Sequence, residues 1–179
     1  MTCAVAGPVD ILIPDAKQAS RHLNRLAEIL RDSVERGALV GFVLPFGREA
    51  ALAYWHSIFT SIADGERLLF CAMINGEVAG TVQLYLSPEP NAPHRAEIFK
   101  LLVHRDFQHR GIGAALMYAA EEQATRLQRS LLLLDTAQGS DSERLYRRLG
   151  WQEIGVVPRH FVDPFGHPRS SVYFMKFVD

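Results

Sequence analysis

The chain predicts an α/β fold, a mixed central β-sheet with helices on both faces. Three observations point to it. Asn75-Gly76 joins two β-rich runs, RLLFCAMI and EVAGTVQLYL, and both positions of a two-residue hairpin turn need positive φ, which Asn and Gly supply. Strand-like and helix-like segments then alternate from Arg95 to Leu149. Apolar residues in the remaining long segments recur at helical spacing, so helices flank the hairpin on either side of the sequence.

Taken in order, Val9 to Ile13 is a short apolar run. A helix follows from Ala16 to Arg36, with Leu23, Leu26, Ala27, Leu30 and Val34 on one stripe and Gly37 as its stop. ALVGFVLPFG, Ala38 to Gly47, is apolar but broken by Gly and Pro. A second helix spans Arg48 to Ala63 and buries Leu52, Trp55, Ile58, Phe59 and Ile62. After the hairpin, the Pro-rich SPEPNAP leads to a strand from Arg95 to His104. Next come a helix, the strand Ser130 to Asp135 and a short helix from Asp141 to Leu149. Closing strands cover Trp151 to Val157 and Ser171 to Val178.

At 179 residues and 20.0 kDa the chain suits one domain, 1–179, with residues 1–8 expected to be a flexible N-terminus. A hydrophobic content of 48% with 22% charged residues argues against disorder. The formal charge of −1 offers no bulk attraction to nucleic acid or to an anionic membrane, so neither is expected as a partner. Cys3 and Cys71 are too few and too far apart for a disulfide framework. With no signal-like N-terminus and no membrane-length apolar run, a cytoplasmic location is expected. The seven histidines show no ligand spacing with Cys or acidic residues, so no metal is expected. Composition leaves monomer and homodimer open.

The segment VHRDFQHRGIGAALMYAAEEQA opens a helix with Gly111 and Gly113 and no Ser, Thr, Asp or Asn to cap it. The first backbone N–H groups of a helix lack partners, and the helix dipole adds about half a positive charge there. With two glycines leaving room and Gln108, His109 and Arg110 adding donors, this end suits a diphosphate. A tight turn is the plainer alternative for a bare G-x-G. The phosphate loop G-x-x-x-x-G-K-[ST] is absent. The dinucleotide fingerprint fails because its third glycine position is Leu116 and the glycines lie too far beyond the strand ending at Val103.

LLV followed by QHRGIGAAL, Q-x-x-G-x-G, resembles the coenzyme A motif of the GNAT superfamily of N-acetyltransferases. SERLYRRLGWQEIG resembles its second signature, a helix carrying Tyr before Gly-aromatic. The resemblance implies the GNAT fold, with the mixed sheet splayed at the cofactor strand, and acetyl-CoA as co-substrate. It places the pantetheine beside Leu101, Leu102 and Val103, and the pyrophosphate on the N–H groups of Gln108, His109, Arg110, Gly111, Ile112, Gly113 and Ala114. The Asn common before the Tyr helix is replaced near Gly139. RGALVGFVLPF, NAPHRAEIFKLLV and VPRHFVDPFGHP further resemble the tabtoxin-resistance acetyltransferase branch, which implies a small amino-acid-like acceptor.

Acetyl transfer needs a neutral amine and a proton for the leaving thiolate. Glu97 lies on the expected central strand, where an ionised carboxylate is expensive unless paired or functional. Its place before Gly111 is similar to that of the catalytic glutamate of the superfamily's histone-acetylating members, so it is the expected base, with a raised pKa. A pair with Arg95 or Lys100 is the alternative. Asp135 ends a strand beside the expected acetyl position, as a second base or as the anchor of the substrate ammonium, with a lowered pKa, or as a turn former. Tyr146 matches the superfamily's Tyr that hydrogen-bonds the sulfur and acts as general acid. One Arg among Arg144, Arg147 and Arg148 is expected near the phosphates. The reading is an acetyl-CoA-dependent N-acetyltransferase working by direct attack in a ternary complex, since no Cys is placed for an acyl-enzyme. The rivals are a protein or peptide N-acetyltransferase, which needs an open groove, and a non-catalytic acyl-CoA-binding sensor. The segments Ala38 to Gly47 and Val157 to Pro168 are expected to close over the site as loops.

Overall fold

The computed structural model describes residues 9–178. Cys3 and the expected flexible segment 1–8 lie outside the described residues. Seven strands form one sheet in the order β1-β2-β3-β4-β5-β7-β6. They are β1 Asp10–Leu12, β2 Arg67–Ile74, β3 Glu77–Leu86, β4 Arg95–Val103, β5 Leu131–Ala137, β6 Gln152–Val162 and β7 Pro168–Phe177. The helices are α1 Ala16–Ser20, α2 Leu23–Glu35, α3 Arg48–Ala63, α4 Ile112–Arg126 and α5 Asp141–Arg148. Every neighbouring pair is antiparallel except β4 and β5, which run parallel because α4 carries the chain back between them.

Two cores follow from strand alternation. Phe70 and Ala72 of β2 face the α4 and α5 side, with Leu84, Ile98, Ile112, Leu116, Leu132 and Phe174. Leu69 and Cys71 face the α1–α3 side, with Leu26, Leu30, Trp55 and Ile58. Cys71 is fully buried, and burial pushes its thiol up to about 12, so it stays a packing residue. Asn75 and Gly76 both take positive φ at the β2–β3 turn, and α3 spans the expected residues.

Two boundaries differ from expectation. The first helix is broken at Arg21–His22, where the N–H groups of both residues bond three residues back, to Gln18 and Ala19. Asp15 caps the first piece in a reciprocal pair with Gln18. The segment Val157 to Pro168 is not a loop. β6 and β7 run to Val162 and from Pro168, joined by a turn in which Asp163 accepts from the Phe165 and His167 N–H groups.

Just after α2 the chain turns at Gly37, whose N–H reaches the Val34 carbonyl while Ala38 N–H reaches that of Ser33. Beside this end, Asp32 accepts from Arg36, from the Arg105 backbone N–H and from the Arg105 guanidinium. These bonds tie α2 to the short 3₁₀ turn Arg105–Phe107 that follows β4. Burial alone would raise the Asp32 carboxyl, yet the two guanidiniums hold it below the usual range. A depressed folded-state pKa contributes stability at neutral pH that is lost as pH falls through that pKa. Asp32→Asn is therefore expected to lower unfolding free energy at neutral pH by about 1–2 kcal/mol, the partly exposed guanidiniums keeping it at the low end. The gap to wild type should close in acid, below pH ~4. Denaturant melts at both pH values check this, and an equal gap at both would contradict it.

Candidate active site

β4 carries two departures from regular pairing. Against β3, Thr81 pairs with Leu102 and Gln83 with Phe99, so Lys100 and Leu101 stand opposite Val82 alone. Lys100 accommodates this bulge with a φ of 50°, a left-handed conformation uncommon outside Gly, Asn and Asp. Against β5, pairing runs only from Arg95↔Leu131 to Glu97↔Leu133, and from Ile98 onward the two strands part. His104 N–H bonds to Ala79 on β3. Antiparallel alternation then turns Leu102 toward β3 and the backbone groups of Leu101 and Val103 toward the gap. The Val103 carbonyl is already held by Gln108 Nε2 at 3.1 Å and Arg36 Nη2 at 3.3 Å. Its N–H and both groups of Leu101 face the opening.

α4 starts at the same gap. Gly111 is its N-cap residue at φ 79°, without a side-chain cap, and the first intrahelical bond is Ala115 N–H to Gly111 O. The N–H groups of Ile112, Gly113 and Ala114 precede that bond and have no acceptor within the helix. A groove of about 540 Å³ runs from these groups along Leu101, Leu102 and Val103. Its wall includes Gln108, His109, Gly111, Ile112, Gly113 and Ala114 of the expected cofactor residues, together with Ser33, Arg36, Leu145 and Arg148. A Cβ built on Gly111 meets nothing within 4 Å, so the space beside the helix start is open.

Four expectations about this groove change. Arg110 is not part of its wall; its guanidinium lies 5.5 Å over the ring of Phe107, which is. The Gln108 N–H is spent on Arg105 O at 3.4 Å, so this residue acts through its side chain on the strand. Gly113 also serves packing: a Cβ there would lie 3.1 Å from Leu145 Cδ2 of α5, so that side chain would have to give. A bulky residue there therefore presses on Leu145 of α5 as well as on the helix start. Leu102 lines the groove but offers no backbone group to it. Of the three Arg residues of α5 considered, Arg148 lines the groove, as does Arg36, which was not singled out, since a helix-terminal Arg reads as solvated. Extended unpaired backbone meeting an uncapped helix start fits a pantetheine arm and a pyrophosphate, the parts of acetyl-CoA.

A second cavity of about 400 Å³ adjoins the first at Leu101. Its wall brings together Asp135, Tyr146 and Lys100, with Ile98 and Phe99 on the strand and Leu39 to Val43, Phe161 and Val162 above. The roof is held by the Leu44 N–H, which donates to Pro164 O at 2.9 Å and so ties the α2–α3 loop to the β6–β7 turn. Burial raises the Asp135 carboxyl, opposed by the charges of His160 and Lys100 and by Ser171. This reverses the lowered value expected for it. Burial also pushes the Tyr146 hydroxyl well above its ordinary range, and the Asp135 charge acts in the same sense. Burial brings Lys100 down to about 8, with the Arg67 charge adding to it.

Glu97 stands apart. It sits at the last bonded pair before the strands part, is not part of either cavity wall, and has its side chain 36% exposed, 4.0 Å from Arg95 Nε. Its side chain is half-buried rather than covered, and its charge reaches Arg67 and Tyr173. Among the described residues no cluster of three His, Cys, Asp or Glu could hold a metal, and no helix is long and apolar enough to cross a membrane.

The model of the acetyltransferase (GNAT) family matches residues 23–151. An uncharacterized N-acetyltransferase from the hisH–hisA intergenic region of Azospirillum brasilense is 29% identical over 118 residues, 65% of this chain and 68% of that protein. Another, from Methanocaldococcus jannaschii, is 30% identical over 120 residues, 65% of this chain and 53% of that protein. The matched stretch thus spans about half to two thirds of these relatives. A Salmonella typhimurium protein solved with its cofactor acetyl-CoA superposes with a TM-score of 0.73 at 17% identity, covering 97% of this chain and 95% of that one. At that identity the likeness shows the fold.

A raised folded-state pKa means that protonation of Asp135 favours the folded chain, so its ionised form costs stability. The cost is full above the folded pKa and fades as pH falls to the unfolded value near ~4. Asp135→Asn should therefore melt at a higher temperature than wild type at neutral pH and lose that margin below pH ~4. The gain is small, because Lys100 loses a favourable neighbour in the same variant. Calorimetric melting at the two pH values checks this, and a lower melting temperature at neutral pH would contradict it.

Proposed function

The chain belongs to the acetyltransferase (GNAT) family, and on that premise we propose that it moves an acetyl group from acetyl-CoA to the amine of a small, amino-acid-like molecule. The observation that carries this reading is the pair of cavities meeting at Leu101, one along unpaired backbone and an uncapped helix, the other roofed and lined by Asp135 and Tyr146. The roof formed by Leu39 to Val43 and Val162, fastened through Leu44 and Pro164, favours a small acceptor over a polypeptide. The resemblance to the tabtoxin-resistance branch supports the same class.

Acetyl-CoA, when bound, supplies an activated thioester. The protein's own residues supply positioning and proton movement. Leu101 and Val103 offer strand-like backbone groups, and the N–H groups of Ile112, Gly113 and Ala114, with Arg148 and Arg36 nearby, suit the diphosphate. Asp135 takes the proton of the acceptor amine at its carboxylate, a task for which a raised pKa brings it closer to working pH. We assign this role to Asp135 rather than Glu97, because Asp135 is part of that cavity's wall and Glu97 is not. Tyr146 keeps its proton and presents it to the departing sulfur. When Asp135 becomes protonated, the charge that weighs against Tyr146 ionisation disappears, so the two proton steps favour one another. With Cys71 buried on the other face, direct attack of the amine in a ternary complex needs no acyl-enzyme.

Thiol release from acetyl-CoA across a panel of small amines tests the activity itself. On an active acceptor, Tyr146→Phe should lower kcat by ~10²–10⁴-fold with both binding constants nearly intact. Asp135→Asn should lower kcat similarly and remove the acidic limb of the pH–rate profile, while Glu97→Gln retains that limb. Loss of the limb in Glu97→Gln and its survival in Asp135→Asn would return the base role to Glu97.

A further inference from the structure

Among the described residues Lys100 is the one cation of the acceptor cavity wall, and the fold makes unusual provision for it. It occupies the β4 bulge at φ 50°, a left-handed backbone that Gly or Asn adopts with less strain. Its ammonium lies 5.8 Å from the ring centres of both Phe42 and Tyr54, which hold it between the α2–α3 loop and α3. A Cβ on Gly41 would come within 3.7 Å of it, so the loop passes close by. Among the described residues no carboxylate lies within ion-pair distance of this ammonium, and Asp135 acts on it only from farther across the cavity. Desolvation and the Arg67 charge both weigh against its own charge. An anion entering the cavity would meet a positive charge already stripped of much of its water and lacking a fixed partner.

The two charged groups come from opposite sides of the strand gap, Lys100 from β4 and Asp135 from β5. A cavity of about 400 Å³ has room for a single small molecule between them. We propose that Lys100 selects the acceptor by binding a carboxylate on it while Asp135 faces its amine, so that the substrate class is an amino acid or another small amine bearing a carboxylate. This rests on the acetyl-transfer reading and adds to it a specificity residue and a required second group. The aromatic faces of Phe42 and Tyr54 keep the ammonium directed at that group without neutralising it.

The test uses matched acceptors that share a side chain: phenylalanine, phenylalaninamide and phenethylamine, and serine, serinamide and ethanolamine. Thiol release from acetyl-CoA is followed for each. The amine of an amino-acid amide loses its proton more readily than that of the acid, so nucleophile availability alone favours the amide. In wild type the acids should nevertheless lead in kcat/KM by about 10–100-fold, the span of one hydrogen bond to a charged group. 3-Phenylpropionate should compete with the acid acceptor. Lys100→Asn, which suits the left-handed backbone, and Lys100→Gln should bring the acid-to-amide ratio toward one, chiefly through KM, and Lys100→Arg should restore part of it. Equal rates for acids and amides in wild type, or an unchanged ratio in a folded Lys100→Asn, would overturn the proposal and leave acetyl transfer standing. Thiol release with none of the amines would overturn both.

Discussion

The parting of two parallel strands is the constraint on which the rest of this molecule depends. β4 and β5 bond through three residue pairs and then separate. Backbone groups at a buried strand edge must find partners elsewhere. The chain answers part of this need itself, with Gln108 and Arg36 on the Val103 carbonyl. What remains, along Leu101 and the Val103 N–H, adjoins a second set of unpartnered donors at the start of α4. Neither set is a site alone. Their convergence on one groove would give an extended ligand with an anionic head both a track and an end stop, as the proposed reading requires.

The acceptor side is governed by burial acting against charge. Asp135 and Lys100 are both less comfortable ionised than in water, and Tyr146 is less willing to ionise. None of these conditions favours folding, and each favours chemistry: a carboxylate readier to take a proton, an ammonium without a partner, a hydroxyl that keeps its hydrogen. The roof joining the α2–α3 loop to the β6–β7 turn covers these groups and, by lowering the dielectric around them, strengthens such interactions beneath it. The Asp32 cluster on the other side holds the β4–α4 connection in place, so the groove keeps its shape.

Local sequence chemistry made much of this legible. Asn75-Gly76 specified its hairpin because both turn positions require a backbone those residues adopt. The missing cap before Gly111 marked the groove because unpaired donors at a helix start are a local property. Features that depend on pairing between distant residues were not visible. The β4 bulge exists only relative to Val82, and a Lys within FKLLV reads as a solvated edge residue until that bulge turns it into the cavity. Glu97 and Asp135 were both recognised as candidates, but their environments depend on where the sheet opens, which no single strand reports. Gly113 looked like room for phosphate and is also room for Leu145, a contact set by α5 far along the chain.

The direct test is amide hydrogen exchange of the labelled protein with and without acetyl-CoA. A cofactor lying in the gap as an additional strand should slow exchange at the Leu101 and Val103 amides and at Ile112 to Ala114. Leu102 should change little, because its groups are already turned to β3. Slowed exchange confined to the α4 start, with Leu101 and Val103 unaffected, would mean that the parted strands do not hold the cofactor and would contradict this account.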